Sequence, residues 1–360
     1  MSRFRVDLRS DTVSSPSPTM RAAMADADVG DAWYGDDPTA NRLQELAAER
    51  LGKEAALYVP TGTMANQIAL SLHMRTNGHL VACSAASHVA TTEVMTAAAL
   101  SGISFRTTDP GPRGWIDADD ARGLLEPDSY YDVEIVDVLS VENTVGGAGG
   151  RVMPADELRA VRKVAEESGV AVHLDGARLF NAAAAAGVEA EEFAREADTV
   201  MFCVSKGLGA PIGSLLCGPA DLMPEARRLW ILFGGAWRQA GITAAAGIVA
   251  LREGPERLHE DHERARRLAD GVADRLPGTI DPGQVETNMV LVDTPRVGLG
   301  VLDTVERLAT LGVGATHIGT HVRMVTHLDV IDDGIDVALD AWATIARSAA
   351  SAGRGEAKEA

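Results

Sequence analysis

Short apolar runs alternate with amphipathic stretches along most of the chain. The apolar runs are bounded by turn residues, as buried strands are, whereas the stretches between them repeat apolar positions with the period of a helix. The strand-like runs are AALYVP, HLVACS, VEIVDVLSVE, VAVHLDG and ADTVMFCVSK, and the helix-like stretches include GTMANQIALSLHMRT and PADELRAVRKVAEESG. This alternation predicts an α/β fold with a large, mostly parallel sheet covered by helices.

The pattern changes after about Gly254. A long charged helix, PERLHEDHERARRLADGVADRLPG, is followed by shorter strand-like and helix-like runs that end at Ser348. We therefore expect residues 1–253 to form an N-terminal segment and a large domain, and residues 254–348 to form a smaller C-terminal α+β domain. Residues 349–360 are small and polar, which predicts a disordered tail.

Composition and charge narrow the class of partner. The 360 residues are 46% apolar and 24% charged, and the net charge is −19. Because a chain with this net negative charge is repelled by nucleic-acid phosphates, we expect no nucleic-acid partner. No apolar run has the length of a membrane span, and the N-terminus lacks the apolar core of a signal peptide. The three cysteines, Cys83, Cys203 and Cys217, are typical of reduced thiols, so we expect a cytoplasmic protein without a membrane partner.

One lysine stands at the end of an apolar run. Lys206, in VMFCVSKGLGAPIGSLLCG, is one of only four lysines in the chain, and the other three lie in charged or terminal stretches. It could be a lysine at a strand end whose amine reaches solvent. Alternatively, it could be a desolvated amine that forms a Schiff base with a carbonyl group of a cofactor or substrate.

Three further stretches place polar residues after predicted strands. Gly62 and Thr63, in PTGTMANQ, open a helix and could either bind a phosphate or simply cap that helix. Asp175, in VHLDGAR, could pair with a cationic ring nitrogen or cap the next helix. Arg178 could bind a carboxylate or phosphate, and His88 could stack on a planar ring, transfer a proton or be structural.

The C-terminal part contains three histidines, His317, His321 and His327, around Arg323. They invite a metal-hydrolase interpretation, but no carboxylate or cysteine in that stretch completes a convincing ligand set. We therefore expect no metal site.

Together these stretches resemble the fold-type-I pyridoxal-phosphate (PLP) enzymes, and more closely the threonine aldolase (β-eliminating lyase) family. The resemblance runs from Asp7 to about Leu251 and continues more thinly through TNMV and RMVTHLD. It rests on DLRSDTVSSPSPTMRAAM, VGDAWYGDDPTANRLQELAAERLGKEAALYVPTGTMANQ, VHLDGARLFNAA, ADTVMFCVSKGLGAPIGS and GGAWRQAGITAAAGIVAL. It implies an aspartate-aminotransferase-like fold, in which the large domain binds PLP.

The resemblance also implies roles for individual residues around the cofactor. Ser205 and Lys206 would bind PLP, Lys206 covalently, and Asp175 would hold its pyridine nitrogen protonated. His88 would stack on the ring and serve in catalysis. Three residues would bind the phosphate of PLP: Gly62, Thr63 and Arg238. Three others would bind the substrate carboxylate: Ser10, Arg178 and Arg323. Arg238 and Tyr34 would act in a neighbouring subunit's site, which implies a homodimer or homotetramer with shared active sites.

The implied reaction is retro-aldol cleavage of a 3-hydroxy-L-amino acid, L-threonine or L-allo-threonine, to glycine and an aldehyde. Two departures leave alternatives open. The family usually has Glu-Asn-Thr-His-Asn where this chain has VENTVGGAGG, and an Ile-His-Phe stretch where this chain has EPDSYYDVEIVD, with Tyr130 or Tyr131 in place of the histidine. Another PLP reaction, namely β-elimination, racemisation, transaldol transfer or aminotransfer, is therefore the alternative, and a catalytically silent relative is a further one.

Overall fold

The computed structural model describes residues 4–75, 79–126 and 135–359, with side chains described as far as 349. Tyr130 and Tyr131 lie outside the described residues. The chain divides into two compact units: a large unit, Pro16–Glu256, and a small unit, which combines Met1–Ser15 with Arg257–Ala360. The boundary between the large unit and the C-terminal residues lies between 256 and 257, three residues after the position expected from the sequence.

The regular elements are numbered along the chain. The strands are β1 (Val6–Asp7), β2 (Ala55–Val59), β3 (Leu80–Ser84), β4 (Ser104–Thr108), β5 (Val136–Glu142), β6 (Ala171–Asp175), β7 (Thr199–Cys203), β8 (Ser214–Gly218), β9 (Met289–Val292), β10 (Val313–Gly314), β11 (Thr316–Ile318) and β12 (His321–Val325). The helices are α1 (Pro18–Ala25), α2 (Pro38–Leu51), α3 (Gly62–Leu72), α4 (His88–Thr91), α5 (Val94–Ser101), α6 (Ala118–Leu125), α7 (Ala155–Glu167), α8 (Leu179–Ala186), α9 (Ala190–Ala194), α10 (Met223–Leu232), α11 (Gly241–Arg275), α12 (Val301–Thr310) and α13 (Asp332–Glu359).

The large unit is built on one sheet with the strand order β2-β8-β7-β6-β5-β3-β4. Strands β4, β3, β5, β6 and β7 pair in parallel, and β8 runs antiparallel between β7 and β2. Strands β7 and β8 are buried at every position, as expected where helices cover both faces. The predicted α/β fold with a mostly parallel sheet is confirmed. Because β8 is antiparallel to both of its neighbours, β2 points the same way as β7. Six strands therefore end at one edge of the sheet.

Helix α2 shows how local sequence sets the ends of an element. The Asp37 carboxylate accepts a hydrogen bond from the backbone N–H of Ala40, and Pro38 occupies the first turn, where its missing N–H has no cost. Gly52 ends the helix with a φ of 60°, a left-handed conformation that glycine adopts without strain.

Helix α11 does not begin at Pro255, where the change of pattern predicted a new helix. It runs without interruption from Gly241 to Arg275 with Pro255 inside it. A proline cannot donate to the carbonyl four residues earlier. Here that carbonyl, of Leu251, accepts a hydrogen bond from the Arg50 guanidinium at 3.3 Å instead. This substitute donor compensates for the lost helical hydrogen bond.

The small unit contains a parallel pair, β1 with β10, and an antiparallel sheet, β11-β12-β9. Its core includes Val6 and Leu8 together with Ile335 and Trp342. The N-terminal segment therefore groups with the C-terminal residues and not with the large domain, because its apolar side chains are buried there. Helix α13 continues to Glu359 through the expected tail, whose alanine, glutamate and lysine residues favour helix.

Within the described part of the chain, no helix is both long and apolar enough to span a membrane.

Candidate active site

The edge where β2, β3, β5, β6 and β7 end carries most of the polar residues selected from the sequence. In an open α/β sheet, ligands bind beyond the carboxyl ends of the strands. Strand β7 leads into Ser205 and Lys206, β6 ends at Asp175, and β5 ends at Glu142. The connection after β3 leads to His88, and the one after β2 leads to Gly62.

Lys206 lies in a tight turn between β7 and β8. Its backbone carbonyl accepts a hydrogen bond from the N–H of Gly209 at 2.8 Å, and the Ser205 hydroxyl donates to the carbonyl of Gly213 at 3.1 Å. The side chain is only partly exposed, and it makes no hydrogen bond or ion pair with another described residue. By contrast, the Lys53 amine donates to the carbonyl of Ala197. A partly desolvated amine without a partner among the described residues is suited to bond formation with a carbonyl group.

Asp175 is 2% exposed and both of its carboxylate oxygens accept hydrogen bonds. Oδ2 accepts from the Asn66 side chain at 2.8 Å, and Oδ1 accepts from the backbone N–H of Ala177 at 3.1 Å. The carboxylate does not cap α8, whose N-cap residue is Arg178. Asp175 is therefore fixed rigidly at the strand end by one side chain and one backbone group.

His88 is the first residue of α4, and two carboxylates hold it. Its Nδ1 lies 2.8 Å from Glu93 Oε1, and its backbone N–H donates to Glu142 Oε2 at 2.7 Å. The His88 side chain is 42% exposed, so part of the imidazole ring is accessible to a ligand. The hydrogen bond to Glu93 raises the pKa of His88 above its usual value, and the charges of Asp175 and Glu142 act in the same direction.

The edge is strongly acidic. Glu142 lies beside Asp175 in the register of β5 and β6, and Glu93 is 1% exposed. The carboxyl group of Glu142 is buried, and this burial together with the negative charge of Asp175 raises the pKa of Glu142 to about 7. Ligand atoms of His88, Glu93 and Asp175 all lie within 4.8 Å of one another, a spacing that could also hold a cation. Such a set of carboxylates favours a ligand that carries positive charge.

Gly62 and Thr63 occupy the first turn of α3. The capping bond is made by the preceding residue, because the Thr61 hydroxyl accepts from the N–H of Met64 at 3.2 Å. The first N–H groups of a helix have no acceptor within it and favour an anion such as phosphate. A Cβ on Gly62 would lie 2.9 Å from Met201 Cε and 3.0 Å from Cys203 Sγ. Glycine therefore lets α3 approach β7 closely at this point.

Arg238 and Tyr34 lie on adjoining segments of the large unit. The Arg238 guanidinium lies over the Trp33 ring, 4.9 Å from its centroid, and forms an ion pair with Asp31 at 3.7 Å. Its carbonyl accepts from the N–H of Ala32. The side chain of Arg238 is 54% exposed, and Tyr34 is 77% exposed. None of these contacts involves Lys206, Asp175 or His88.

Ser10 and Arg323 belong to the small unit, where they are near neighbours. Arg323 Nη1 donates to the backbone carbonyl of Arg9 at 3.2 Å, and the Ser10 hydroxyl accepts from the N–H of Thr12. Of the three C-terminal histidines, His317 is exposed and His327 donates from Nε2 to the carbonyl of Asp7. Among the described residues, they do not form a group that could hold a metal ion.

A family model described as "Beta-eliminating lyase" matches residues 7–295 of the chain. The low specificity L-threonine aldolase of Escherichia coli K12 is 41% identical over 325 residues, which are 90% of this chain and 94% of that protein. The chain belongs to the threonine aldolase (β-eliminating lyase) family. A second relative in this family, the probable low-specificity L-threonine aldolase 2 of Arabidopsis thaliana, is 36% identical over 95% of this chain and 98% of its own.

Solved structures of threonine aldolases share the fold. A putative L-allo-threonine aldolase from Listeria monocytogenes superimposes with a TM-score of 0.75 at 21% identity, covering 95% of this chain and 96% of its own. A threonine aldolase from Leishmania major gives a TM-score of 0.76 at 18% identity, with 95% and 99% covered. The type I fold predicted from the sequence is confirmed, and the chain is a PLP-dependent lyase of this family.

The residues of the large unit fit PLP. The amine of Lys206 makes no bond to another described residue, and Asp175 presents a fixed carboxylate at the same edge of the sheet. The backbone N–H groups of Gly62 and Thr63, in the first turn of α3, make no hydrogen bond with another described residue and could bind a phosphate, while Thr61 caps the N–H of Met64. The surrounding carboxylates suit a protonated ring nitrogen.

Sequence reasoning missed three residues of this edge, Asn66, Glu93 and Glu142. All three lie in or near stretches that the sequence already marks: Asn66 in PTGTMANQ, Glu93 five residues after His88, and Glu142 in VENTVGGAGG. Each is polar next to a strand end or helix start, but nothing in the local pattern says that they meet.

Proposed function

We propose that the chain cleaves a 3-hydroxy-L-amino acid, either L-threonine or L-allo-threonine, to glycine and an aldehyde by retro-aldol chemistry. The observation that carries the proposal is the shared sheet edge of Lys206, Asp175 and His88, with one amine, one fixed carboxylate and one imidazole. The names of the relatives from E. coli and A. thaliana support the same substrate class.

Within this proposal, Lys206 holds PLP covalently and Asp175 pairs with its ring nitrogen. Gly62 and Thr63 bind its phosphate with backbone N–H groups. When bound, PLP supplies an electron sink for the negative charge that develops on the substrate's Cα. The protein then has to orient the substrate, exclude competing reactions and handle protons.

Ser10, Arg178 and Arg323 are proposed to bind the substrate carboxylate. Two guanidinium groups can form charge-assisted hydrogen bonds with it, and a fixed carboxylate determines which bond to Cα is broken. Arg238 and Tyr34 are proposed to serve the site of a neighbouring subunit. Their exposure supports that assignment, and it requires at least a homodimer, with a homotetramer as the larger form.

His88 is the proposed base for the substrate's hydroxyl proton. The family's usual histidine after Glu-Asn-Thr is replaced here by Val145, which is 1% exposed and cannot accept a proton. An imidazole gains and loses a proton near physiological pH, and its neutral form can accept the hydroxyl proton. The loss of that family histidine also favours the alternative, another PLP reaction on a small amino acid such as β-elimination, racemisation, transaldol transfer or aminotransfer.

The test is direct. Purified, PLP-loaded protein is incubated with L-threonine, L-allo-threonine or a bulky 3-hydroxy amino acid, and aldehyde is followed through a coupled alcohol dehydrogenase while glycine is quantified. We expect equimolar aldehyde and glycine, and loss of both in Lys206→Ala. The control is Lys163→Ala, an exposed lysine on α7, which should keep full activity.

Absence of aldehyde from all three substrates, with PLP still bound, would contradict aldol cleavage and favour the alternative reactions. Activity that survives in Lys206→Ala but is lost to a chelator would instead support a metal hydrolase.

A further inference from the structure

A continuous set of hydrogen bonds links His88 to Asp175 beneath the sheet edge. Glu93 Oε1 contacts His88 Nδ1 at 2.8 Å and accepts from Asn66 Nδ2 at 3.0 Å. The same amide nitrogen donates to Asp175 Oδ2 at 2.8 Å. The second oxygen of Glu93 accepts from Gln67 Nε2 at 3.0 Å. One amide therefore connects the carboxylate under His88 to the carboxylate proposed to bind the ring nitrogen.

The polarity of these bonds follows from chemistry. Ionised carboxylates only accept, so the Asn66 amide nitrogen must donate both of its hydrogens, and its Oδ1 must accept. Oδ1 lies 3.1 Å from His173 Nε2, which therefore carries a hydrogen. His173 Nδ1 then accepts from the Thr199 hydroxyl at 3.0 Å. His173 is fully buried, and this burial lowers its pKa to about 4, so it remains neutral and keeps this orientation.

The same reasoning fixes the tautomer of His88. Since Glu93 accepts, His88 Nδ1 carries the hydrogen, and the lone pair of the neutral ring is on Nε2. Glu93 cannot rotate away, because Asn66 and Gln67 hold its two oxygens and the side chain is 1% exposed. A carboxylate that orients an imidazole and fixes its tautomer is a recurrent arrangement in enzymes.

We propose that Glu93 is the positioning residue for His88: it holds the Nδ1–H tautomer, so that Nε2 is presented to the substrate, and Asn66 locks this pair to Asp175. Glu93 touches neither substrate nor PLP in this scheme and acts through His88. The part of this inference that concerns the reaction of His88 rests on the proposed function. The pairing of Glu93 with His88 does not depend on it.

The first test measures the pairing in the protein without PLP. The His88 imidazole is titrated by NMR, and its signals are identified by their loss in His88→Asn. Three carboxylates act on this ring: Glu93 at the start of α5, Glu142 at the end of β5 and Asp175 at the end of β6. In Glu93→Gln we expect the pKa of His88 to fall and the Nδ1–H tautomer to lose its preference, whereas Glu93→Asp, which retains the charge, should keep the pKa raised.

The second test measures the consequence in the PLP-loaded enzyme. Glu93→Gln should lower kcat on the order of 100-fold, with little change in KM, because a misplaced base affects the chemical step. The acid limb of the kcat/KM profile should move to lower pH, as His88 loses its carboxylate. The control is Glu196→Gln, a carboxylate with 8% exposure that binds Arg159 away from this edge, and it should change neither quantity.

A double substitution separates positioning from a general structural role. If Glu93 acts through His88, adding Glu93→Gln to His88→Asn should slow the reaction no further. A full additional loss, or an unchanged His88 titration in Glu93→Gln, would overturn the proposal. If the titration changes as expected while the native protein releases no aldehyde, the proposed reaction fails and the Glu93–His88 pairing stands.

Discussion

His173 is a residue whose neighbours, not its own sequence context, determine its chemistry. It is fully buried on β6, where Nε2 donates a hydrogen bond to Asn66 and Nδ1 accepts one from the Thr199 hydroxyl. A charged imidazole would lose hydration there and would place a hydrogen against the Thr199 hydroxyl. Burial accordingly lowers the pKa of His173 from 6.5 to about 4.

This pKa predicts how stability depends on pH. Between pH 6.5 and about 4 the unfolded chain binds a proton at His173 that the folded protein does not, so the contribution of His173 to stability is present above pH 6.5 and is lost as the pH falls. His173→Gln, which cannot titrate, should remove this part of the slope, on the order of 3 kcal/mol at most. Urea unfolding at several pH values measures it.

The exposed His317 provides the matched control, because His317→Gln makes the same substitution at the surface. Parallel unfolding curves for the native protein and His173→Gln from pH 7 to pH 4.5 would contradict a neutral, buried imidazole.

At the scale of elements, the packing of α3 against β7 sets the position of the proposed phosphate site. The close approach depends on Gly62, where a Cβ would meet Met201 and Cys203 at 3.0 Å or less. Both of those side chains are buried, so they have little room to move.

We expect Gly62→Ala to lower the free energy of unfolding by about 1–3 kcal/mol, since α3 must shift or its neighbours must repack. The shift should also weaken PLP binding, which fluorescence titration measures. Gly123→Ala on α6 is the control: its Cβ would meet nothing within 4 Å, so it should stabilise the protein by about 0.5–1 kcal/mol. Equal effects of the two substitutions would show that close packing at Gly62 is unimportant.

At the scale of the whole molecule, the proposed sharing of active sites between subunits can be tested by complementation. Lys206→Ala and Arg238→Leu should each be inactive or strongly impaired. If Arg238 serves a neighbouring subunit, a mixed dimer has one site with both native residues. Random exchange of subunits should then restore about a quarter of the native activity.

Mixing Lys206→Ala with Lys206→Met supplies the control, because no mixed dimer of these two variants contains a native site. If the Lys206→Ala and Arg238→Leu proteins stay as impaired after subunit exchange as before it, Arg238 acts within its own chain.

The sequence by itself determined the alternation of strands and helices, because the period of apolar positions is a local property. It also marked Lys206, Asp175, His88 and Gly62 as candidates, since each follows an apolar run at a position where a parallel sheet binds ligands. The short connection of residues 204–213 between β7 and β8 could have indicated that β8 is antiparallel, because a parallel crossover needs a longer link.

Only the tertiary structure decided how those candidates are held. Asn66 and Asp175 are 109 positions apart in the chain, yet they are hydrogen-bonded, and Glu93 joins them through the same amide. Likewise, the N-terminal segment groups with the C-terminal residues, where the backbone N–H of Val325 donates a hydrogen bond to the carbonyl of Leu8. The physical reason is the same in both cases: periodicity reports which face of an element is buried, but the partner it meets there depends on the path of the whole chain.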